Sequence, residues 1–328
     1  MSVLWPLRFE PVFRRYIWGG RRLQTVLGKS IGEGEDYAES WEVVDHGEDQ
    51  SVVKAGEFEG ATLRQIVEQH GAELLGRHYP QSQFPLLFKL LDCNRNLSVQ
   101  VHPNDEQGQC LDPPDLGKTE AWVVLHAERG SALYAGLKRG FDREAFEREI
   151  NRGTTELCLH KIEPRVGDCI FIPAGIVHAL GEGLVVAEIQ QASDTTFRIF
   201  DWNRVDSSGN PRPLHIEVAL DVIDYGAGPV SVQVPEPTDR PHVERLVSCD
   251  KFTLDRLRVG GELMIGGDDR FHIVSVIGGS LMLDGDPTDR PVQRGETVLL
   301  PASCGECRLV STGGSTLLDM YLPEGPYN

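Results

Sequence analysis

Positive charge is scarce in this sequence. Its 328 residues include 32 Lys and Arg against 50 Asp and Glu, which gives a formal net charge of -18 at pH 7. Binding to nucleic acid or to an anionic membrane depends on a basic surface, so neither is expected as a general function. An anionic small molecule would need a local basic pocket instead.

Long apolar runs are missing as well. Residues 184–189 form one of the longest runs, far short of the roughly 20 residues that a membrane-spanning helix needs. Residues 1–18 contain three arginines and no apolar stretch of the kind found in signal peptides. The seven cysteines are odd in number and scattered, which favours reduced thiols over a disulfide framework. We therefore expect a cytoplasmic protein without a membrane partner.

Helical periodicity is sparse. It predicts helices at 62–76, at 142–150 with Asp142 as the N-cap, and at 214–223. Elsewhere, short apolar or alternating runs are separated by turns rich in Gly and Pro, which is typical of a β-sandwich or barrel. The predicted strands are 98–102, 120–125, 169–172, 184–189, 196–202, 271–277, 280–283 and 297–300. The fold class is therefore predicted to be mainly β with a few short helices.

An internal repeat predicts two copies of one β-unit. Residues 167–174 (GDCIFIPA) and 295–302 (GETVLLPA) share the same spacing from Gly to Pro. The alternative is a chance recurrence of an acidic turn followed by a strand. Residues 226–242 are rich in Pro and Gly and lack periodicity. We expect a catalytic unit at 1–225, a linker at 226–242 and a second unit at 243–328.

Four residues in the first unit form a candidate metal site. The first repeat continues to His178, so that Gly-x5-Pro-x-Gly-x2-His is complete. Gln100 and His102 stand two apart in an extended run, which places both side chains on one face. Glu120 begins the next apolar strand and would face the same interior. This set of nitrogen and oxygen ligands suits Zn²⁺, although Fe²⁺, Mn²⁺ and Co²⁺ are also compatible. The alternative to a metal site is that the two histidines are hydrogen-bonded structural residues.

The same segments resemble known families. The pattern ending at His178 is the second sequence motif of the cupins, which are jelly-roll, double-stranded β-helix barrels whose His binds metal. The chain further resembles the type I mannose-6-phosphate isomerases (phosphomannose isomerases), in their short bacterial form, over roughly residues 5–225. The segments that carry this resemblance are 84–91 (FPLLFKLL), 97–103 (LSVQVHP), 117–120 (GKTE), 173–180 (PAGIVHAL) and 194–198 (DTTFR), with weaker matches at 18–20 (WGG) and 37–41 (YAESW).

This resemblance implies two cupin barrels and a zinc-dependent aldose–ketose isomerase. The enzyme would interconvert mannose 6-phosphate and fructose 6-phosphate through an enediol or enediolate. The implied ligands of a single Zn²⁺ are Gln100, His102, Glu120 and His178. The implied catalytic residues are Lys118 and Arg198 at the reacting carbons, supported by Asp194. The implied substrate contacts are Trp18, together with Ser98 and Lys89 at the phosphate.

Lys118 has the chemistry that such a reaction requires. Isomerisation moves a proton between C1 and C2, so a base is needed beside both carbons. Lys118 lies two residues before Glu120 and shares its face if the strand extends that far. The alternative is a surface lysine in a turn. Some long family members carry a His where this chain has Gly117, which weakens any mechanism that depends on that His.

Arg198 is the second basic candidate. In an extended segment its side chain would share one inward face with Thr196, Phe200 and Trp202. A guanidinium on such a face needs an anionic partner. The partner is either the substrate or, as the alternative, Asp194 or Glu188 within the fold.

The second repeat lacks these ligands. In the first repeat, His178 lies five residues after Pro173. The residue five after Pro301 in the second repeat is Glu306, and no Gln-x-His pair precedes it. We therefore expect a metal-free, structural second unit. The C-x-x-C at 304–307 has no second pair, so incidental or structural thiols are the favoured interpretation.

Two rival functions stay open at this point. The first is another metal-dependent cupin enzyme, either an isomerase of a different sugar phosphate or an Fe²⁺ oxygenase. The second is a sugar-binding or regulatory cupin without activity, which the presence of both Lys118 and Arg198 disfavours. The expected partner is a small sugar phosphate, whereas the oligomeric state cannot be predicted from the sequence.

Overall fold

The computed structural model describes residues 4–205 and 209–324. Its strands group into two successive units, and in the first a five-stranded sheet packs against a six-stranded sheet. The strands of this unit are β1 (Phe9–Glu10), β2 (Val12–Gly20), β3 (Tyr37–Val43), β4 (Asp45–His46), β5 (Asp49–Gln50), β6 (Val52–Val53), β7 (Leu86–Cys93), β8 (Val99–Val101), β9 (Glu120–Ala127), β10 (Leu133–Leu137), β11 (Leu159–Ile162), β12 (Cys169–Ile172), β13 (His178–Leu180), β14 (Leu184–Gln191) and β15 (Phe197–Phe200).

In the second unit a four-stranded sheet packs against another six-stranded sheet. Its strands are β16 (Glu236–Pro237), β17 (Val243–Ser248), β18 (Thr253–Val259), β19 (Glu262–Gly266), β20 (His272–Gly278), β21 (Ser280–Leu283), β22 (Val292–Gln293), β23 (Thr297–Leu300), β24 (Glu306–Val310) and β25 (Ser315–Tyr321). Over the described ranges both units are open sandwiches, and no sheet closes into a barrel.

The two units have the same strand order. The six-stranded sheets run β12-β9-β14-β7-β3-β2 and β23-β20-β25-β18-β17-β16. The facing sheets run β11-β10-β13-β8-β15 and β22-β21-β24-β19. Strands at the same sheet position in the two units also come in the same order along the chain. Among the strands of these four sheets, only β15 has no counterpart in the second unit. The mainly β fold of two related units is therefore confirmed, whereas the residue limits 1–225, 226–242 and 243–328 stay a prediction.

The repeated octets adopt the same local structure. Gly167 and Gly295 both have positive φ, at 93° and 83°, which only glycine adopts without strain. Their N–H groups donate to carbonyls on the neighbouring strands, those of Val124 and Val276, both at 2.8 Å. The acidic residue that follows each glycine accepts a hydrogen bond from the amide three residues earlier, at 2.8 and 2.9 Å. The sequence repeat is thus a structural repeat.

Helices are few and short. They are α1 (Arg22–Thr25), α2 (Leu63–Leu75), α3 (Asp105–Gln109), α4 (Arg143–Arg152) and α5 (Ile216–Val222), with single 3₁₀ turns at Gly76–His78, Thr155–Cys158 and Ala302–Cys304. The three predicted helices correspond to α2, α4 and α5, and Asp142 caps α4 as expected. Helices α1 and α3 are too short to show a helical period in the sequence. Within the described ranges, no helix has the length and apolar character needed to cross a membrane.

All eight predicted strands are present, but several others were missed. Strand β7 matters most, because it lies between β3 and β14 and carries Lys89. Its eight residues are all buried, so its sequence shows no alternation of polar and apolar residues. Strand β15 is shorter than predicted and contains a register shift between Arg198 and Phe200.

The two units share one hydrophobic core. Ile273 and Leu299 pack into a cluster that also contains residues of α2, β7 and β9, whereas Val274 and Val298 pack inside the second unit. The N-terminal segment joins this contact, since Leu7 and Leu299 exchange two backbone hydrogen bonds of 2.8 and 2.9 Å. The second unit therefore covers one face of the sheet whose other face lines the functional cavity.

Candidate metal centre and substrate cavity

Strand register brings the four candidate ligands together. Gln100 on β8 lies directly opposite His178, the first residue of β13. His102 follows β8 immediately before Pro103, and Glu120 is the first residue of β9. The spacing of two between Gln100 and His102 therefore puts both side chains on the interior face, as predicted.

Three of these side chains form a compact buried cluster. Oε1 of Glu120 is 3.3 Å from Nε2 of His178, and Oε2 is 3.6 Å from Nε2 of His102. One potential ligand atom from each residue lies within 4.8 Å of the other two. All three residues are 1% exposed. In the described part of the chain, no other group of His, Cys, Asp and Glu is arranged in this way.

Backbone carbonyls orient both imidazoles. Nδ1–H of His102 donates to the carbonyl of Thr195, and Nδ1–H of His178 donates to that of Ile176, each at 2.8 Å. Each Nε2 is then left with a lone pair aimed at the cluster, the arrangement typical of metal-binding histidines. Burial lowers the pKa of His102 well below its usual value and that of His178 to about 4. Both rings are therefore neutral and able to bind a cation.

Glu120 has an ammonium beside it, that of Lys118, but within the described ranges it has no hydrogen bond of the kind a buried carboxylate usually has. Neither of its oxygens accepts a hydrogen bond from a described residue, and burial raises the pKa of the carboxyl. The pKa stays raised despite the Lys118 ammonium, so the cost of burying this charge is not fully offset, and a bound cation would lower it. The two carboxylate oxygens without a hydrogen bond, the two unprotonated Nε2 atoms and the mixture of nitrogen and oxygen donors together fit one divalent metal.

Gln100 is close enough to complete the set. Its Nε2 lies 3.3 Å from Nε2 of His178, while its Oε1 accepts a hydrogen bond of 3.2 Å from Ser98. Rotating the side-chain amide of Gln100 by half a turn would point its Oε1 at the cluster instead of its Nε2. Ser98 therefore contacts a predicted ligand directly.

Lys118 reaches the cluster from the loop before β9. Its Nζ is 3.2 Å from Nε2 of His102 and 3.4 Å from Oε2 of Glu120. The side chain is 5% exposed, so the alternative of a surface turn lysine is wrong. The strand does not extend back to Lys118, because β9 begins at Glu120 as predicted.

A cavity of roughly 200 Å³ opens beside this cluster. Its lining brings together seven of the ten predicted site residues, namely Trp18, Lys89, Ser98, Gln100, Lys118, Asp194 and Arg198. The three remaining predicted residues form the His102–Glu120–His178 cluster. Tyr16 extends the lining, with its ring stacked on Trp18 at a centroid distance of 5.5 Å.

The charge of Lys89 is balanced within the fold. Its Nζ lies 3.8 Å from Glu39, 3.9 Å from Glu188 and 3.6 Å from Asp194, and 4.5 Å from the ring centroid of Trp41. Burial alone would lower the pKa of Lys89, but these carboxylates raise it, so the ammonium stays charged. Asp194 thus lies against Lys89 rather than against Lys118 or Arg198, the residues it was expected to support.

The opposite end of the cavity carries excess positive charge. Arg198 pairs with Gln100 across β15 and β8, its Nη1 donates to Pro213 at 3.0 Å, and its Nε is buried without a partner. Arg212 also lines the cavity. Burial and the positive charges of Arg212 and Arg204 lower the pKa of Arg198. This end can receive an anion.

The aromatic surroundings predicted for Arg198 are wrong. The register shift in β15 turns Phe200 to the outer face, where it packs with Phe197 and Trp202 against the hydrophobic cluster around Val99. Trp202 lies beyond the strand and has a positive φ of 56°. Strict alternation from Arg198 fails because the bulge inserts one residue.

Two cavity residues were not predicted as site residues, although Glu188 was considered as a partner of Arg198. Glu188 is 5% exposed, accepts a hydrogen bond of 2.9 Å from Nε1 of Trp122, and has its pKa raised by burial. A carboxylate inside the apolar run 184–189 was the signal that could have revealed it. Arg212 gave no comparable signal, because a loop brings it to the cavity.

The second unit differs from expectation at the ligand position. Cys307 faces the core opposite Ile265, as His178 faces Gln100, whereas Glu306 is exposed. The 3₁₀ turn Ala302–Cys304 precedes this strand and shifts the inward position by one residue. The assignment of Glu306 to that position is therefore wrong.

Comparisons with known proteins bear on this site. Residues 7–119 match the family model for the catalytic domain of type I phosphomannose isomerase, and residues 242–316 match the cupin domain of mannose-6-phosphate isomerase. A mannose-6-phosphate isomerase of Bacillus subtilis is 34% identical over 93% of this chain and 95% of its own length. The mannose-6-phosphate isomerase of Streptococcus mutans is 35% identical over 90% of this chain and 92% of its own length. A crystal structure of the Bacillus subtilis mannose 6-phosphate isomerase superposes with a TM-score of 0.89 at 31% identity, covering 97% of this chain and 100% of that one.

Proposed function

This chain belongs to the type I mannose-6-phosphate isomerases, and from that premise we propose that it interconverts mannose 6-phosphate and fructose 6-phosphate in the cavity beside His102, Glu120 and His178. The observation that carries the proposal is the position of Lys118. Its Nζ lies within 3.4 Å of both His102 and Glu120, at the point where the cavity meets the cluster.

We assign Zn²⁺ as the metal, held by His102, His178 and Glu120 with Gln100 as the fourth ligand. Two imidazole nitrogens and one carboxylate are a common catalytic zinc set. When bound, such an ion polarises the carbonyl and hydroxyl oxygens of a substrate. The second unit, where Cys307 faces Ile265, is proposed to bind no metal.

Lys118 is proposed to move the proton between C1 and C2. The enediolate forms when the Lys118 amine takes the proton from C2, and the ammonium so formed stabilises the negative charge on the enediolate oxygens before it returns the proton to C1. The loop before β9 holds Lys118 on the cavity side of the cluster, so one nitrogen can serve both adjacent carbons. Glu188 lines the cavity, has a carboxyl pKa raised by burial, and is proposed to bind a sugar hydroxyl.

The phosphate is proposed to bind at the arginine end of the cavity. Arg198, Arg204 and Arg212 there exceed the one nearby carboxylate among the described residues, that of Asp201, which lies 3.7 Å from Arg212. Lys89 is already surrounded by three carboxylates. At an effective dielectric of about 20, one cation at about 4 Å contributes on the order of 4 kcal/mol. Surface carboxylates beyond a Debye length of about 8 Å are largely screened, so the net charge does not prevent binding. Ser98 remains a proposed phosphate contact and Lys89 a proposed substrate contact.

The cytoplasmic location also remains a proposal. All seven cysteines lie in the described ranges, and all are free thiols. Unpaired thiols are typical of a reducing compartment.

The direct test is an isomerisation assay on purified protein, coupled to consumption of fructose 6-phosphate. We expect turnover of mannose 6-phosphate that disappears after chelation and returns with Zn²⁺. Free mannose is the matched substrate control and should be turned over very poorly. Oxygen consumption with a preference for Fe²⁺, or full activity after exhaustive metal removal, would contradict the proposal.

A further inference from the structure

A salt bridge between the two units ends next to the segment that carries Lys118. Lys251, in the turn between β17 and β18, places its Nζ 2.8 Å from Oδ2 of Asp105, the first residue of α3. The Lys251 side chain is 16% exposed and that of Asp105 is 32% exposed, so the pair is partly shielded from solvent. Lys251 belongs to the second unit, and Asp105 to the first.

The other carboxylate oxygen of Asp105 holds the catalytic segment. Oδ1 accepts hydrogen bonds of 2.8 Å from the N–H of Gly117 and of 2.8 Å from Nε2 of Gln191. Oε1 of Gln191 in turn accepts a bond of 3.1 Å from the N–H of Thr119. The amides on both sides of Lys118 are therefore tied to Asp105, one directly and one through Gln191.

These hydrogen bonds hold the segment around Lys118, which is not part of a strand. Because β9 begins at Glu120, Lys118 has no ladder partner, and its own N–H donates to the carbonyl of Pro103 at 2.9 Å. Gly117 also packs tightly against Asp105. A Cβ at residue 117 would lie 2.6 Å from the backbone nitrogen of Asp105 and 2.8 Å from its Oδ1. The backbone that aims Lys118 at the cluster is thus held by the Asp105 carboxylate together with the bonds of Lys118 to Pro103 and of Thr119 to the amide of Gln191.

We propose that Lys251 is a positioning residue for Lys118, acting through Asp105, so that the second unit contributes to catalysis as well as to packing. The proposal rests on the proposed proton-transfer role of Lys118. Without the ammonium, Oδ2 of Asp105 loses its ion pair and only the two bonds to Oδ1 hold the carboxylate, so we expect its contacts with Gly117 and Gln191 to loosen. A catalytic group displaced by a fraction of an ångström loses much of its effect, so we expect kcat to fall roughly tenfold while KM is unchanged.

Three variants test this inference. Lys251→Met removes the charge but keeps the length of the side chain, and Lys251→Arg restores the charge. Asp250→Asn is the matched control, because Oδ2 of Asp250 lies 3.0 Å from the same Nζ while its side chain is 79% exposed. We expect kcat to fall only in Lys251→Met and to be largely restored in Lys251→Arg. Metal content should be unchanged, and amide hydrogen exchange of the peptide around 115–121 should be faster in Lys251→Met alone.

A double variant separates this inference from the proposed function. In the Lys118→Met background, Lys251→Met should cause no further loss of kcat. If Lys118→Met lowers kcat but Lys251→Met does not, the positioning role is overturned and the proposed function stands. If Lys118→Met leaves kcat unchanged, the proton-transfer role of Lys118 is overturned, and this inference falls with it, while the isomerase activity stands. Equal losses of kcat, metal and thermal stability in Lys251→Met would indicate a general structural role and would also overturn the inference.

Discussion

His272 occupies in the second unit the register position that Glu120 occupies in the first. Each is the first residue of its strand, and each pairs with the last residue of the matching strand, Leu300 and Ile172 respectively. Glu120 has no hydrogen-bond partner among the described residues and lies beside the substrate cavity. His272 is bonded through both ring nitrogens. The same position therefore holds a proposed metal ligand in one unit and an ion-pair network around a histidine in the other.

The network around His272 keeps its ring charged. Nδ1 lies 2.9 Å from Asp319, and Nε2 lies 3.1 Å from Asp268. Burial alone would lower the pKa of His272, but the two carboxylates raise it to about 9. Asp268 shows the reciprocal effect, with a lowered pKa.

This network predicts a pH-dependent contribution to stability. The folded-state pKa of His272 lies above its ordinary value of 6.5, so the stabilisation is complete below pH 6.5 and is lost as the pH rises through about 9. His272→Gln should lower Tm at about pH 6, and the difference from wild type should shrink by about pH 10. Thermal unfolding across this range is the measurement, with the exposed His242→Gln as control. A difference that stays constant with pH would refute the ion-pair account.

The metal site predicts a clear result for bound-metal analysis. His102→Ala and His178→Ala should each lose most of the bound divalent metal, because each removes one of the four proposed ligands. His160→Ala, outside the cluster, should retain it. Elemental analysis of the purified variants is the measurement. Undiminished stoichiometry in both ligand variants would rule out this centre.

The arginine end of the cavity predicts an effect on substrate binding. Arg212→Met should raise KM for mannose 6-phosphate by roughly tenfold or more, since a charge-assisted contact to a phosphate contributes about 1.5–3 kcal/mol. The exposed Arg139→Met is the control and should leave KM unchanged. Steady-state kinetics of both variants provide the comparison. An unchanged KM in Arg212→Met would place the phosphate elsewhere in the cavity.

The C-x-x-C of the second unit should not affect turnover. Cys304 and Cys307 line a separate cavity with Trp5, and neither lines the substrate cavity. Replacing both cysteines by serine should leave kcat/KM unchanged and lower Tm slightly, because Cys307 is buried in the core of that unit. Loss of turnover in a folded double variant would show that the dithiol has a function.

Much of the site could be predicted from the sequence, because the spacing of residues within single strands determines which side chains share a face. Gln100 and His102 lie on one face because side chains alternate along a strand. The repeated segment that begins at Gly167 has a fixed spacing, which determines the position of His178. The cavity residues that were missed depend on contacts between distant segments. Glu188 resembles any charged residue in a strand, and only the paired strands show that it faces Lys89.

Irregular backbone accounts for the two errors of orientation. The bulge in β15 reverses the face of Phe200, and the 3₁₀ turn before β24 puts Cys307 rather than Glu306 inside. Neither feature has a distinctive sequence pattern, because one inserted residue leaves composition and hydropathy almost unchanged. The role of Asp105 was equally hidden, since its partners come from three separate segments.

The most direct test of the account is the kcat of Lys118→Met together with its metal content. We expect kcat to fall by about 10² to 10⁴, the usual range for a lost acid–base group, while the metal stays bound. Incorporation of deuterium from solvent at C2 should fall in parallel, because the same nitrogen handles that proton. A Lys118→Met variant with unchanged kcat and undiminished deuterium incorporation would contradict the central claim that Lys118 moves the proton beside the His102–Glu120–His178 cluster.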